Sequence, residues 1–399
     1  MNRVRHVSLS GLKNYIHYKI HRASSLCFEI IPFQGKFKLI KLLSLNQQFI
    51  HYIRCMQMDE KYMQRCIDLA QLGEGNVAPN PMVGAVIVLN DCIIGEGYHQ
   101  KYGEAHAEVN AVNSVVDKSV LKDATIYVSL EPCAHFGKTP PCSDLLVQHQ
   151  FKRVVIGCHD SFSEVSGKGI QKLKNAGIEF EVGILEEKCR ELNKRFFTFH
   201  EKKRPYIILK WAQTKDGFID VKRDDSSVGI NWISSPETKV LVHKWRSEEH
   251  SILVGKNTVL KDNPTLTVRE VTGNNPIRIV LDSYLQIKKE AKVLNEDAPT
   301  IVFNKLKDEV IGSVRYRKLD NLEVSTIVEA LYELSIQSVF IEGGSKILQS
   351  FIDSNVWDEA RVILGENLFK EGVKAPTISK LPTTSFDFSS DKVFIYTNL

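Results

Sequence analysis

The feature that most restricts this 399-residue chain is the spacing of three soft metal donors. His106 opens "HAEVNAV", and Cys133 and Cys142 lie in "EPCAHFGKTPPC" with eight residues between them. An ion that takes one imidazole and two thiolates into a tetrahedron forces these positions to meet at a point. The local patterns allow it. "HAEVNAVNSVV" predicts a helix starting at His106, "ATIYVSL" a strand ending before Cys133, and Pro-Pro a helix start at Cys142. Backbone N–H groups at that last start are expected to favour a Cys142 thiolate. A fold that delivers one strand end and two helix starts to one place is an alternating α/β sheet.

The flanking segments carry the same alternation. Tyr62, Met63, Cys66, Ile67, Leu69 and Ala70 recur at helical spacing, and Gly73 stops that helix. In "NVAPNPMVGAVIVLNDCIIGEGYHQ", Pro-Asn-Pro is a rigid turn, "VGAVIVL" and "CIIGEGY" are paired strands, and "ND" is their hairpin turn. "CSDLLVQHQ" predicts a helix, "RVVIGC" a strand, "GIQKLKNAG" a helix and "IEFEVGI" a strand. The charged run "HEKKR" before Pro205 marks a boundary. Beyond it we read strands "PYIILKWA", "SILVG", "IRIVLD", "SVFIEGG" and "EARVIL". The helices there are "SPETKVLVHKWRSE" and "SKILQSFIDSN", with "QTKDG" and "KNTVLKDNPTLTVR" as loops. The length suits two domains, expected at 56–204 and 205–399.

Glu108 gives the donor set its chemistry. Two positions from a metal-binding histidine, a carboxylate reaches a water on the metal without ligating the metal. It can take a proton from that water and return it to a leaving amine. H-x-E with a later P-C…C is the pattern of zinc nucleobase deaminases, although that signature has two residues between the cysteines where this chain has eight. Cys66, Cys92, Cys158, Cys189, His99 and His159 are read as ordinary structural residues, the cysteines as small buried hydrophobes. Asn80, between two prolines, either fixes a ligand through its amide or simply serves the turn. His135 and Lys138 lie in the cysteine loop, where either could meet a ligand's ring or phosphate.

Charge and cysteine usage narrow the setting. Residues 1–55 carry nine Lys/Arg and one acid, Glu29, while the other 43 basic and 47 acidic residues balance at −4. The body therefore has no basic face that argues for nucleic acid. Eight cysteines in 399 residues make no secreted framework, so a reducing, cytoplasmic location is expected. No apolar run approaches the roughly 20 residues that cross a bilayer, so no membrane partner is expected. Residues 1–55 admit three readings: a targeting presequence, a membrane-surface anchor, or a poorly structured extension before a start at Met56 or Met58. The third is preferred, because a well-formed helix signal follows at once.

Taken together, "PNPMVGAVIV", "GEGYHQKYGEAHAE", "SLEPCAHFGKTPPC" and "VSGKGIQKLKNAGIE" resemble the bifunctional deaminase–reductase family of riboflavin biosynthesis. "LKWAQTKDGFI", "NWISSPET", "HKWRSEEHSILVGKNTVLKDNPTLTVR", "PIRIVLDS" and "IEGGSKI" extend the resemblance through the second half. It implies a cytidine-deaminase-like α/β/α sandwich followed by a dihydrofolate-reductase-like α/β domain. It also implies Zn2+, NADPH and a small phosphoribosyl pyrimidine substrate, with a homo-oligomer left open. His106, Cys133 and Cys142 would hold zinc and Glu108 would shuttle the proton. Ala212, Trp232, Thr258, Asp262, Ser283 and Gly344 match cofactor positions; Arg246, Leu266, Arg269 and Glu342 match substrate positions.

Physical sense can be made of several of these. Arg246 and Arg269 are expected as fork-shaped donors to the substrate phosphate. Trp232 offers either a flat face beside the cofactor or a core residue. "FIEGGSKILQ" runs from strand into helix through Gly-Gly, which is either a phosphate cradle or a tight turn, without the G-x-G-x-x-G of a Rossmann fold. Ile230 in "SSVGINWIS" departs from the family, Phe136 is assigned no role, and no side chain declares itself as proton donor to the reductive step. Three other readings compete. A nucleic-acid or free-base deaminase calls for a basic groove; a structural zinc site calls for a fourth His or Cys where this chain has Glu108; a one-sided enzyme would have lost its second half.

Overall fold

The computed structural model describes residues 56–136, 140–162, 167–223 and 228–398. The readings made for residues 1–55 and for Lys138 lie outside the described residues. In the first half, helix α1 (56–71) leads through the Pro-Asn-Pro turn to strands β1 (Gly84–Leu89) and β2 (Cys92–Tyr98). Asn90 and Asp91 both take positive φ, 50° and 62°, which suits the tight hairpin between them. Helix α2 (Ala107–Ser114), β3 (Thr125–Leu130), α3 (Cys142–Gln148), β4 (Arg153–Cys158), α4 (Lys168–Asn175) and β5 (Glu179–Val182) follow.

The sheet order is β2-β1-β3-β4-β5, antiparallel at β2/β1/β3 and parallel from β3 to β5. Strand alternation makes it a sandwich. Val86 and Val88 pack with Met63 and Cys66 of α1, whereas Ala85 and Ile87 pack with Ala111 of α2 and Leu146 of α3. Gly84 is required where α1 crosses the sheet, since a Cβ there would stand 2.0 Å from the Cys66 carbonyl oxygen. Two helices the sequence did not announce, α5 (Glu186–Leu192) and α6 (Lys194–Lys202), complete the α1 side with Cys189, Phe196 and Phe197. The expected boundary "HEKKR" is thus largely the last turn of α6, which ends as Lys203 turns left-handed at φ 54°.

The second half is built on β6 (Tyr206–Gln213), β7 (Phe218–Val221), α7 (Pro236–Glu248), β8 (Ser251–Gly255), α8 (Lys256–Asp262) and β9 (Ile277–Leu281). Then come β10 (Thr300–Asn304), β11 (Glu309–Ile311), β12 (Val314–Lys318), α9 (Val324–Glu333), β13 (Ser338–Ile341), α10 (Ser345–Asp353) and β14 (Glu359–Leu364). The chain closes with β15 (Gly372–Lys374), β16 (Thr384–Phe388) and β17 (Asp391–Thr397). The ten-stranded sheet runs β11-β12-β10-β9-β8-β13-β6-β14-β17-β16 and is parallel from β12 to β14.

Its apolar strands are buried on both faces, as a parallel sheet requires. Leu209, Val339 and Ile341 pack under α9 and α10; Ile208, Val254 and Phe340 pack under α7 and α8. α8 corrects an expectation, because "KNTVLKD" was read as loop. Its seven residues form a helix that stops where Asn263 takes φ 43° ahead of Pro264. Cys92 is likewise exposed rather than buried, at the hairpin end of an edge strand. No helix among the described residues is long and apolar enough to cross a membrane.

Candidate active sites

His106 caps α2 from extended backbone, φ −74° and ψ 166°, which turns its ring off the helix start. Cys133 follows the end of β3, and Cys142 is the first residue of α3. The His106 Nδ1 atom lies 3.6 Å from the Cys133 Sγ and 3.4 Å from the Cys142 Sγ, and the three donor atoms fall within 4.8 Å of one another. Zinc at its usual bond lengths in a tetrahedron sets nitrogen and sulfur ligands roughly 3.5 Å apart. The residues therefore fit that ion.

The helix start acts differently from expectation: the Cys142 N–H donates to the Cys133 Sγ at 3.3 Å, not to its own sulfur. Hydrogen bonds from Cys142 and His106 hold the Cys133 thiol down to about 4, against its burial. The same sharing pushes Cys142 up, and the bond to Cys133 raises His106. Glu108, 3% exposed, sits beside this group. Burial and then Cys133 push its carboxyl up, while His106 and Cys142 pull it the other way.

His106, Cys133 and Glu108 border a cavity of about 440 Å³. Asn80 lines it and donates from Nδ2 to His99 Nε2 at 3.1 Å. The His99 Nδ1 meets the Ala105 carbonyl at 3.0 Å, which fixes Nδ1 as donor and leaves Nε2 as acceptor. Burial pulls the His99 pKa down, and its ring stands edge-on to His106 with centroids 5.3 Å apart. His99 was read as structural; the fold sets it against the donor cluster, a placement that spacing could not reveal. His135 lines the same cavity, and among the described residues its buried Nδ1 has no hydrogen-bond partner. His159 is outside, near Glu131 at 3.4 Å.

A second cavity of about 1050 Å³ opens where β6, β8 and β13 end, the usual place for a ligand in an open parallel sheet. Ala212, Trp232, Thr258, Asp262, Gly344, Arg246, Leu266, Arg269 and Glu342 all line it, and so does Ile230. Ser283 does not: the wall reaches Leu281, and the Ser283 carbonyl accepts from Lys305 N at 3.0 Å. Trp232 is no core residue but 54% exposed at the rim, with the Lys239 ammonium 5.0 Å from its ring. Gly343 must lack a side chain, since a Cβ would come within 2.9 Å of the Thr258 hydroxyl.

Arg246 lines the cavity with partners of its own. Its guanidinium donates to both oxygens of Glu342, at 2.6 and 2.8 Å, and to the Thr267 carbonyl at 3.3 Å, so its fork is committed within the protein. Arg269 is the arginine left facing the cavity, steadied by the Thr267 hydroxyl at 2.9 Å. Two residues were missed in the sequence. Lys210, a charge inside an apolar strand, lines the cavity 3.9 Å from Glu342, and burial pulls its pKa down. Arg223 joins Asp220 at 2.8 Å to Asp262 at 2.9 Å.

Comparison with known proteins follows the same division. Residues 56–158 match the cytidine and deoxycytidylate deaminase zinc-binding region, and residues 205–369 match the RibD C-terminal domain. The chain is 44% identical over 324 residues to the riboflavin biosynthesis protein RibD of Aquifex aeolicus, covering 79% of this chain and 89% of that one. It is 34% identical over 343 residues to the Escherichia coli protein of that name, covering 81% and 91%. The fold is similar to a diaminohydroxyphosphoribosylaminopyrimidine deaminase/5-amino-6-(5-phosphoribosylamino)uracil reductase from Thermotoga maritima. That match has a TM-score of 0.77 at 39% identity, and covers 85% of this chain and 98% of the other.

Proposed function

The chain belongs to the RibD family of riboflavin biosynthesis, and on that premise we propose how its two cavities divide the work. It is a bifunctional enzyme, a pyrimidine deaminase joined to a reductase. The substrate is 2,5-diamino-6-(5-phosphoribosylamino)pyrimidin-4(3H)-one. Water replaces its 2-amino group as ammonia, and NADPH then reduces the ribosyl group to ribityl. The observation that carries the reading is a buried carboxylate, Glu108, beside a donor triad of zinc dimensions.

In the deaminase cavity His106, Cys133 and Cys142 are the residues to hold zinc. Zinc supplies the Lewis acidity that lets water act as nucleophile near neutral pH. Glu108 accepts the proton that water gives up as its oxygen bonds to C2. It then delivers that proton to the departing nitrogen as the C–N bond breaks. A raised carboxyl pKa suits both halves of the shuttle. Asn80 and His135 hold the ring edge.

In the larger cavity NADPH supplies the hydride when bound, beside Ala212, Thr258, Asp262 and the Gly344 turn, with Trp232 at the rim. The hydride goes to the ribosyl C1, and the ring oxygen that C1 releases takes a proton. The Lys210–Glu342 pair faces the cavity and is the proton source we assign. Arg269 takes the phosphate and Leu266 packs the substrate. Arg246 keeps Glu342 ionised and aimed. Ser283 keeps a cofactor role only if the cofactor reaches past Leu281.

The same reading divides the chain into an extension at 1–55, a deaminase domain at 56–204 and a reductase domain at 205–399. It makes the enzyme cytoplasmic, without a nucleic-acid partner and with homo-oligomerisation open. The test supplies the purified protein with the diaminopyrimidinone, with and without NADPH. Ammonia is expected in both cases and NADPH oxidation only after deamination. Silence in both assays would overturn the assignment.

A further inference from the structure

The wall of the deaminase cavity is not made by the deaminase half alone. Ser335 and Gln337, from the turn between α9 and β13 of the reductase half, also line it. The Gln337 amide donates from Nε2 to the Pro79 carbonyl at 2.6 Å. That carbonyl belongs to the peptide joining Pro79 to Asn80, and the N–H of the same peptide donates to the Val77 carbonyl at 2.8 Å. The peptide plane is therefore held at both of its polar ends, one within its own turn and one by the other half of the molecule. A fixed plane fixes the Asn80 N–Cα bond, so φ is the one backbone rotation left that can turn the side chain about it.

The grip comes from a rigid mount. The Gln337 carbonyl accepts from the Tyr206 N–H at 2.8 Å, and its N–H donates to His250 Nδ1 at 3.3 Å. Ile336 beside it is buried, and Ser335 takes the left-handed φ of 57° that turns the chain toward the deaminase half. β13, which starts at the next residue, lies between the parallel strands β8 and β6 in the middle of the ten-stranded sheet. On the receiving side His99 takes one N–H of the Asn80 amide, and the amide oxygen is the acceptor Asn80 can offer. An amide oxygen accepts from the ring N–H or amino group of a pyrimidine.

We propose that Gln337 of the reductase half is a positioning residue of the deaminase cavity, fixing through the Pro79 carbonyl the acceptor by which Asn80 meets the pyrimidine. The proposal rests on the deaminase reading above. It makes pyrimidine binding in the first cavity depend on how the second half is seated.

The test compares parent, Gln337→Glu and Gln337→Lys on ammonia release from the diaminopyrimidinone. Reduction of the separately prepared deaminated compound is measured on the same samples. Glutamate keeps the shape but sets an acceptor against the Pro79 carbonyl, whereas lysine keeps a donor. For Gln337→Glu the deamination KM should rise about fivefold to tenfold with kcat within about twofold, the scale of one lost hydrogen bond. Reductase constants should stay at parent values, and Gln337→Lys should behave like the parent.

A Gln337→Glu KM within about twofold of the parent would overturn the proposal. So would an equal loss in the reductase assay, which would mean general loosening, or a Gln337→Lys variant as impaired as Gln337→Glu. A parent that releases no ammonia defeats the deaminase reading itself and the proposal with it. A parent that works alongside an unimpaired Gln337→Glu defeats Gln337 alone.

Discussion

Arg246 and Glu342 stand on different elements 96 residues apart, yet the arginine holds both carboxylate oxygens at 2.6 and 2.8 Å at the floor of the reductase cavity. Burial alone would raise Glu342, but Arg246 and then Lys210 hold it down to about 2. A carboxyl lowered from 4.5 stabilises the fold above its unfolded value, and that contribution drains away as pH falls from about 4.5 to about 2. Arg246→Lys keeps the charge and loses the fork. We expect reductase kcat/KM to fall at least about tenfold with ammonia release unchanged. The thermal midpoint should drop at pH 7, and the gap to the parent should narrow as the pH falls through that window.

Glu108→Gln and Cys142→Ser separate the shuttle from the metal. Glu108→Gln should keep zinc, measured by elemental analysis, and lose about 10²- to 10⁴-fold in ammonia release. Brisk turnover would remove the shuttle role. Cys142→Ser should lose both zinc and ammonia release, while reduction of the deaminated compound continues, because the two cavities have separate walls.

Arg269→Ala tests the phosphate assignment. With Arg246 held by Glu342 and Arg223 by Asp220 and Asp262, Arg269 is the lining arginine that the reductase cavity offers to a phosphate. The reductase KM should rise about tenfold or more, as expected for a lost charge-assisted contact. An unchanged KM would move the phosphate elsewhere.

Asp160 lines the deaminase cavity, and burial pushes its carboxyl up to about 7 from an ordinary 3.8. A raised acid favours the fold while protonated in both states, and the fold loses stability as pH rises from about 4 to about 7. Asp160→Asn still presents an oxygen to the Phe162 N–H, which now donates at 2.7 Å. The thermal midpoint should rise by about 5 °C at pH 8 and stay put at pH 4. A rise of equal size at both pH values would mean that ionisation is not the cause.

The deaminase half was legible because its information is local. Turn residues, strand alternation and ligand spacing point to His106, Glu108, Cys133 and Cys142 from short-range pattern alone. What escaped was set by partners distant in sequence. Arg246 read as a free fork because nothing near it announces Glu342. His99 read as structural because its link to Asn80 crosses the whole β1–β2 hairpin. α8 read as loop because Thr258 and Val259 are poor helix formers, yet Val259 is buried among the apolar residues on its side of the sheet. Ser283 matched by motif alone, and the cavity wall stops two residues short of it.

The rim position of Trp232 has a practical corollary. The chain has four tryptophans, and Trp211, Trp245 and Trp357 are buried at 4%, 8% and 3% exposure against 54% for Trp232. Acrylamide in the buffer should therefore dim chiefly this one indole. Loading the neighbouring cavity with dinucleotide should shield it, giving an optical readout of occupancy from the protein's own emission.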